Sequence, residues 1–124
     1  TEKLRLASKA SRSERLILVQ DHSPQVLMAL LANPRIEPEE ILQIIKSSHV
    51  SSGILQHIAS NQRWMAVYDI QRALVLNPKT PTPLVLRLLE LLSTSDLGAL
   101  AKLGKARESV RKAALPVYLK RTGK

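Results

Sequence analysis

The chain contains no cysteine and no phenylalanine, and its 124 residues include only three aromatic side chains, Trp64, Tyr68 and Tyr118. Without cysteine there are no disulfides, no thiolate metal sites and no cysteine nucleophile. Glycine occurs four times, and none of the four sits in a dipeptide that would turn a hairpin. No apolar run approaches the roughly 18 residues that a membrane-spanning helix needs. The amino terminus lacks the charged-then-apolar pattern of an export signal, so a cytoplasmic location is the expectation. Thr1 as the first residue points to trimming or to excision from a longer protein.

What is present is aliphatic. Leu, Ile, Val and Ala supply almost all the apolar residues. No alternating apolar/polar run of strand type stands out among them, so the composition predicts an all-α protein. At this length one domain can bury a real core without staples.

One stretch is written twice. Residues 29–45 and 73–89 align at an offset of 44 residues, placing Asn33-Pro34 on Asn77-Pro78. Ala29 then falls on Ala73, Leu30 on Leu74, Leu42 on Leu86, and Ile44-Ile45 on Leu88-Leu89. Repetition at this period is the signature of a stacked helical array.

Helix boundaries follow from local chemistry. A short helix is expected over 2–10 with Leu4 and Ala7 inward. Ser11 and Glu14 have capping-box spacing for a second helix carrying Leu16, Ile17 and Val19. Ser23 and Pro24 open a third, with Val26, Leu27, Leu30 and Leu31 on one stripe. Asn33-Pro34 closes it, because proline disfavours helical geometry before it and Asn tolerates a left-handed turn. Pro38 restarts the chain with Ile41, Leu42, Ile44 and Ile45 as the buried face. Glu37, Glu39 and Glu40 there complement the helix dipole rather than forming a metal site. Ser51 or Ser52 caps the next helix, with Ile54, Leu55 and Ile58 inward.

The second copy repeats the plan. One helix carries Trp64, Val67, Tyr68, Ile70, Leu74 and Val75. Thr82-Pro83 starts the next, with Leu84, Leu88, Leu89 and Leu92 in the core. Ser93 and Asp96 then cap a helix holding Leu97, Leu100, Ala101 and Leu103. This last helix matches 54–58 only after a one-residue slip. A final helix from about Arg107 to Lys120 continues the register, with Ala114 on Ile70 and Tyr118 on Leu74, and Pro116 should kink or shorten it.

The net charge is +9 and is concentrated at the ends. Residues 1–15 hold five basic and two acidic side chains, and residues 102–124 hold eight basic and one acidic. The stretch between has six basic against seven acidic. Such asymmetry fits contact with nucleic acid, acidic protein or anionic lipid, and it equally fits solubilising ends on a helical stack. Lys102, Lys105, Arg107, Arg111 and Lys112 are the candidate phosphate contacts. The near absence of aromatic platforms counts against single-strand stacking, and no helix-turn-helix or zinc-finger pattern is present.

His22, His49 and His57 share no helical metal spacing, and no glycine-rich phosphate loop or nucleophile elbow occurs. No catalytic, cofactor or metal constellation reads out. The densest chemical group is Arg63, Trp64, Tyr68, Asp69 and Arg72. On one helix, Trp64 and Tyr68 would be i,i+4 neighbours forming a packed pair.

The stretches NPRIEPEEIL at 33–42 and NPKTPTPLVL at 77–86, each preceded by an apolar helix, resemble the HEAT-like and leucine-rich repeat variant families. The resemblance spans roughly residues 16–115, and the spacing fits HEAT-like units better than the shorter variant repeat. It implies an all-α, right-handed solenoid of about two and a half units, approximately 22–62, 63–106 and a partial 107–120. The iron–sulfur cysteines of one variant-repeat type have no counterpart here. The group around Asp69 is similar to the set with which HEAT-like DNA glycosylases handle a damaged base, although those proteins draw it from several repeats. The expected function is a non-enzymatic protein-interaction module, with nucleic-acid binding as the alternative and a repeat-type glycosylase as a distant third.

Overall fold

The computed structural model describes residues 2–47, 49–102 and 107–123. Those residues form ten α-helices and no strand. The chain divides into two compact units, Thr1–Ile70 and Gln71–Lys124, each with its own apolar core. The first unit holds α1 (Glu2–Lys9), α2 (Arg12–Leu18), α3 (Pro24–Leu31), α4 (Pro38–Lys46), α5 (Ser52–Ala59) and α6 (Gln62–Met65). The boundary falls inside α7 (Tyr68–Leu76), and the second unit continues with α8 (Thr82–Leu89), α9 (Thr94–Lys102) and α10 (Glu108–Arg121).

Side-chain caps start these helices where short polar residues precede apolar runs. The Ser11 hydroxyl accepts the Glu14 N–H, and the Glu14 carboxylate accepts the Ser11 N–H at 2.9 Å. The Ser11 N–H, and after it the Ser11 hydroxyl, hold the Glu14 carboxyl below its ordinary range. Ser23, Ser51, Asn61 and Ser93 each accept a backbone N–H three residues on, at 3.4, 3.3, 3.2 and 3.1 Å. Each bond satisfies one of the donors that a helix start leaves open. Pro24 and Pro38 occupy first-turn positions of α3 and α4, where no N–H is needed.

The two copies of the repeat bury most of the same apolar positions. Leu30 and Leu74 are both fully buried, as are Ile41 and Val85, and Ile44 and Ile45 match Leu88 and Leu89 at no more than 2 % exposure. Each such side chain contributes roughly 1.5–3 kcal/mol of burial before entropy is counted. One expected core residue lies elsewhere: Leu42 is half-buried, and its counterpart Leu86, not among the expected core residues, is 48 % exposed. Both sit on the outer edge of the stripe, where two neighbouring apolar positions already fill the interior.

Asn33-Pro34 and Asn77-Pro78 do end their helices, but not through a left-handed residue. No described non-glycine residue has positive φ. Each asparagine instead turns the chain with its side chain, accepting the N–H two residues on: Arg35 N–H at 2.9 Å and Lys79 N–H at 2.7 Å. A backbone bond from Ile36 to the Asn33 carbonyl, or from Thr80 to that of Asn77, closes each turn at 3.1 Å.

One further expectation is corrected, and a second in part. The single helix predicted across 64–75 is broken at Ala66 and Val67 into α6 and α7, with the Val67 N–H bonded to the Trp64 carbonyl at 3.0 Å. That i−3 bond tightens the turn and re-aims the chain without proline or glycine. Pro116, expected to kink or shorten the last helix, does not shorten it: it lies inside an α10 of 14 residues. A mid-helix proline forfeits one backbone bond. Beyond it, the Arg121 guanidinium donates to the Leu92 and Glu90 carbonyls and ties down the end of α10.

Candidate functional site

The amino-terminal charge is largely engaged within the first unit. Lys3 pairs with Asp21 at 2.5 Å, Arg5 with Glu2 at 3.9 Å, and Arg12 with Glu39 and, at 3.8 Å, Glu37. Arg15 and Glu40 form a buried pair, at 3 % and 0 % side-chain exposure, through Nε–Oε1 at 2.6 Å and Nη2–Oε2 at 3.2 Å. A third guanidinium bond runs from Arg15 Nη1 to the Ala10 carbonyl at 3.0 Å. The Glu40 carboxylate raises the Arg15 pKa further above its already high value, against the opposing effect of burial. The Glu37, Glu39 and Glu40 carboxylates stand within 4.8 Å of one another, as a metal site would require. The guanidiniums of Arg12 and Arg15 occupy that position instead. The acidic first turn of α4 is therefore a double arginine clamp as well as a dipole complement.

The carboxy-terminal candidates are more divided. Arg107, the N-cap residue of α10, donates from Nη1 to the Pro78 carbonyl and from Nη2 to that of Thr80, both at 2.6 Å. Lys102 donates to the Tyr118 hydroxyl at 3.0 Å, with its ammonium 4.7 Å from the ring centroid. Tyr118 lies in turn against Gly98, where a Cβ would come within 2.9 Å of the ring. Thr94, Ser95, Gly98, Ala99, Lys102 and Tyr118 line the shallow groove that results. Lys112 pairs with Glu108 one turn away at 3.2 Å. Lys105 and Leu103 lie outside the described residues. Of the four candidates among the described residues, Lys102 and Arg107 are held by hydrogen bonds and Lys112 by an ion pair, whereas Arg111 is exposed and in no ion pair there.

The aromatic–basic group is dispersed over two helices. Arg63 and Trp64 sit on α6, while Tyr68, Asp69 and Arg72 sit on α7. Trp64 is buried to 7 % exposure and meets the His57 ring edge-on, with centroids 6.2 Å apart. Its indole faces the core of the first unit and offers no open face for a base to stack on. Arg63, Tyr68, Asp69 and Arg72 are exposed.

The structure also joins two residues that spacing alone kept apart. The exposed rings of His22 and His49 stack at 3.6 Å between centroids with their planes 30° apart. They stand in the turns before α3 and α5, 27 residues apart in the chain, so no sequence motif could have paired them.

Leu115 and Leu119 lie one turn apart on α10 at 43 % and 40 % exposure, and Arg111 lies one turn before them. This apolar pair flanked by cations was not singled out by the charge pattern, although its i,i+4 spacing is legible. No protein-family model, curated protein or solved structure matches this chain.

Proposed function

We propose that the chain is a non-enzymatic protein-interaction module, a short HEAT-like right-handed stack of helical repeats that presents an outer helix face to another protein. The shared burial register of 29–45 and 73–89 supports the repeat reading. The observation that carries the choice of partner is Leu115 and Leu119 on α10, left half-open to solvent beside Arg111. Exposed leucines with a cationic neighbour suit the apolar centre and polar rim of a protein interface. Phosphate binding makes no use of them.

The engaged cations support the same reading. Arg107 and Arg121 bind main-chain carbonyls, Lys102 binds Tyr118, and the amino-terminal arginines bind carboxylates. Much of the net positive charge therefore has an internal role. The exposed Arg111 is the observation favouring nucleic acid as a second reading.

A photo-crosslinking residue at position 119, placed in the chain within its native cells, tests the assignment. A discrete protein adduct that vanishes with Leu115→Asp is the expected outcome. Titration with fluorescent duplex and single-stranded oligonucleotides is the counter-test. Tight binding with a steep salt slope, weakened by Arg111→Ala and indifferent to Leu115→Asp, would replace the protein reading with the nucleic-acid one.

A further inference from the structure

We propose that His22 and His49 form a chelating site for a divalent transition-metal ion that prefers imidazole ligands, Zn2+ or Ni2+. Neither the repeat architecture nor protein docking requires these two exposed rings to meet, and their 3.6 Å approach is a feature of tertiary structure alone. Imidazole nitrogen is the common protein ligand for these ions. A tetrahedral ion with bonds of about 2.0–2.1 Å holds two nitrogens roughly 3.3 Å apart, which requires the two rings to turn their edges toward one point rather than their faces toward each other. Both side chains are at the surface, so rotation about their side-chain bonds can open the stack and converge one nitrogen from each ring on a single ion. Water completes the coordination.

The loops that carry the pair are pinned, which keeps the ligand spacing short. Asp21 accepts the Ser23 N–H at 2.8 Å and pairs with Lys3, fixing the backbone on both sides of His22. The His49 N–H donates to the Ser47 hydroxyl at 3.2 Å, and the next residue, Val50, is anchored in the core at 1 % exposure. The three-carboxylate cluster at the start of α4 is the competing location, but its oxygens already face Arg12 and Arg15.

Isothermal titration of the untagged full chain with ZnCl2 and with NiCl2 tests the site, alongside thermal melting with and without the ion. One ion per chain is expected, with a rise in melting temperature that chelator reverses. His22→Gln and His49→Gln should each weaken binding by about tenfold or more, because removing either ligand converts a chelate into a single bond. His57→Gln should leave it unchanged. Circular dichroism checks that the variants keep the parent fold, and His22→Asn and His49→Asn provide a second pair. Absence of one-to-one binding overturns the assignment. So does binding that survives both histidine substitutions, or that is lost with Glu39→Gln instead.

Discussion

The turn at Asn33-Pro34 and the turn at Asn77-Pro78 are the same piece of backbone held by different surroundings. In each, the asparagine side chain accepts the N–H two residues on and a 3.1 Å backbone bond closes the loop. In the first unit Asn33 is buried, and its amide donates to the Ala7 and Ala10 carbonyls, both at 3.1 Å. These are acceptors at the end of α1, which a finished helix leaves open. In the second unit Asn77 is half-buried and the turn's own carbonyls are the anchored groups, gripped by Arg107 from the start of α10. Thr80, at the position of Ile36, adds a 2.6 Å hydroxyl bond to the Leu74 carbonyl. The repeat thus specifies a turn, and each unit recruits its own polar partner to hold it.

If the two blocks are equivalent in their cores, equivalent damage should have equivalent consequences. Leu30→Asp and Leu74→Asp each put a carboxylate at a fully buried position. Each is expected to cost more than about 5 kcal/mol and to abolish cooperative melting by far-UV circular dichroism. A variant that melted like the parent would show that positions 30 and 74 are not counterparts, and the comparison would fail at its root.

The sharper contrast lies at Glu40 and Leu84, which share a register position and are both buried, at 0 % and 7 % exposure. The second unit fills the position with an apolar side chain, whereas the first unit fills it with a charge that Arg15 pairs and the Glu37 N–H also bonds. Glu40→Ala is expected to cost about 3–5 kcal/mol, because it strands a buried guanidinium. Arg15→Met combined with Glu40→Leu installs the second unit's solution in the first, and stability should return to within about 1 kcal/mol of the parent or exceed it. Denaturant unfolding of both single variants and the double variant measures the coupling. A double variant no better than Glu40→Ala would mean that the pair does more than neutralise itself.

These contrasts mark what could be read in advance. Ser11, Ser23, Ser51 and Ser93 were legible as caps, and Val26, Leu27, Leu30 and Leu31 as a core stripe, because both signals depend on residues within one or two turns. The break between α6 and α7 was not, since Ala66 and Val67 carry no breaker chemistry. The clamp of Arg12 and Arg15 on the glutamates of α4 joins residues 25 and 27 apart, and the Arg107 and Arg121 bonds to carbonyls span 27 to 31. Charge counting therefore overstated how much of the positive surplus awaited a ligand. For the candidate site, Arg111 was nameable from its sequence. Leu115 and Leu119 needed the packing of Val110 and Ala114 to show which side of α10 stays open.

The smallest expected effect tests whether the turns differ in energy as they do in partners. Asn33→Ala removes two amide bonds to carbonyls at a site with 2 % exposure, so the lost partners are not replaced by water. The cost should be about 2–3 kcal/mol, near the upper range for stranding buried polar groups. Asn77→Ala sits where solvent reaches the turn, and Arg107 still holds the Pro78 and Thr80 carbonyls, so about 1 kcal/mol or less is expected. Chemical denaturation of the two variants side by side gives the difference directly. Equal losses would place the stabilising role in the shared turn itself, through the Arg35 and Lys79 N–H bonds. The expected inequality places it instead in the groups that each unit brings to the turn from elsewhere in its own fold.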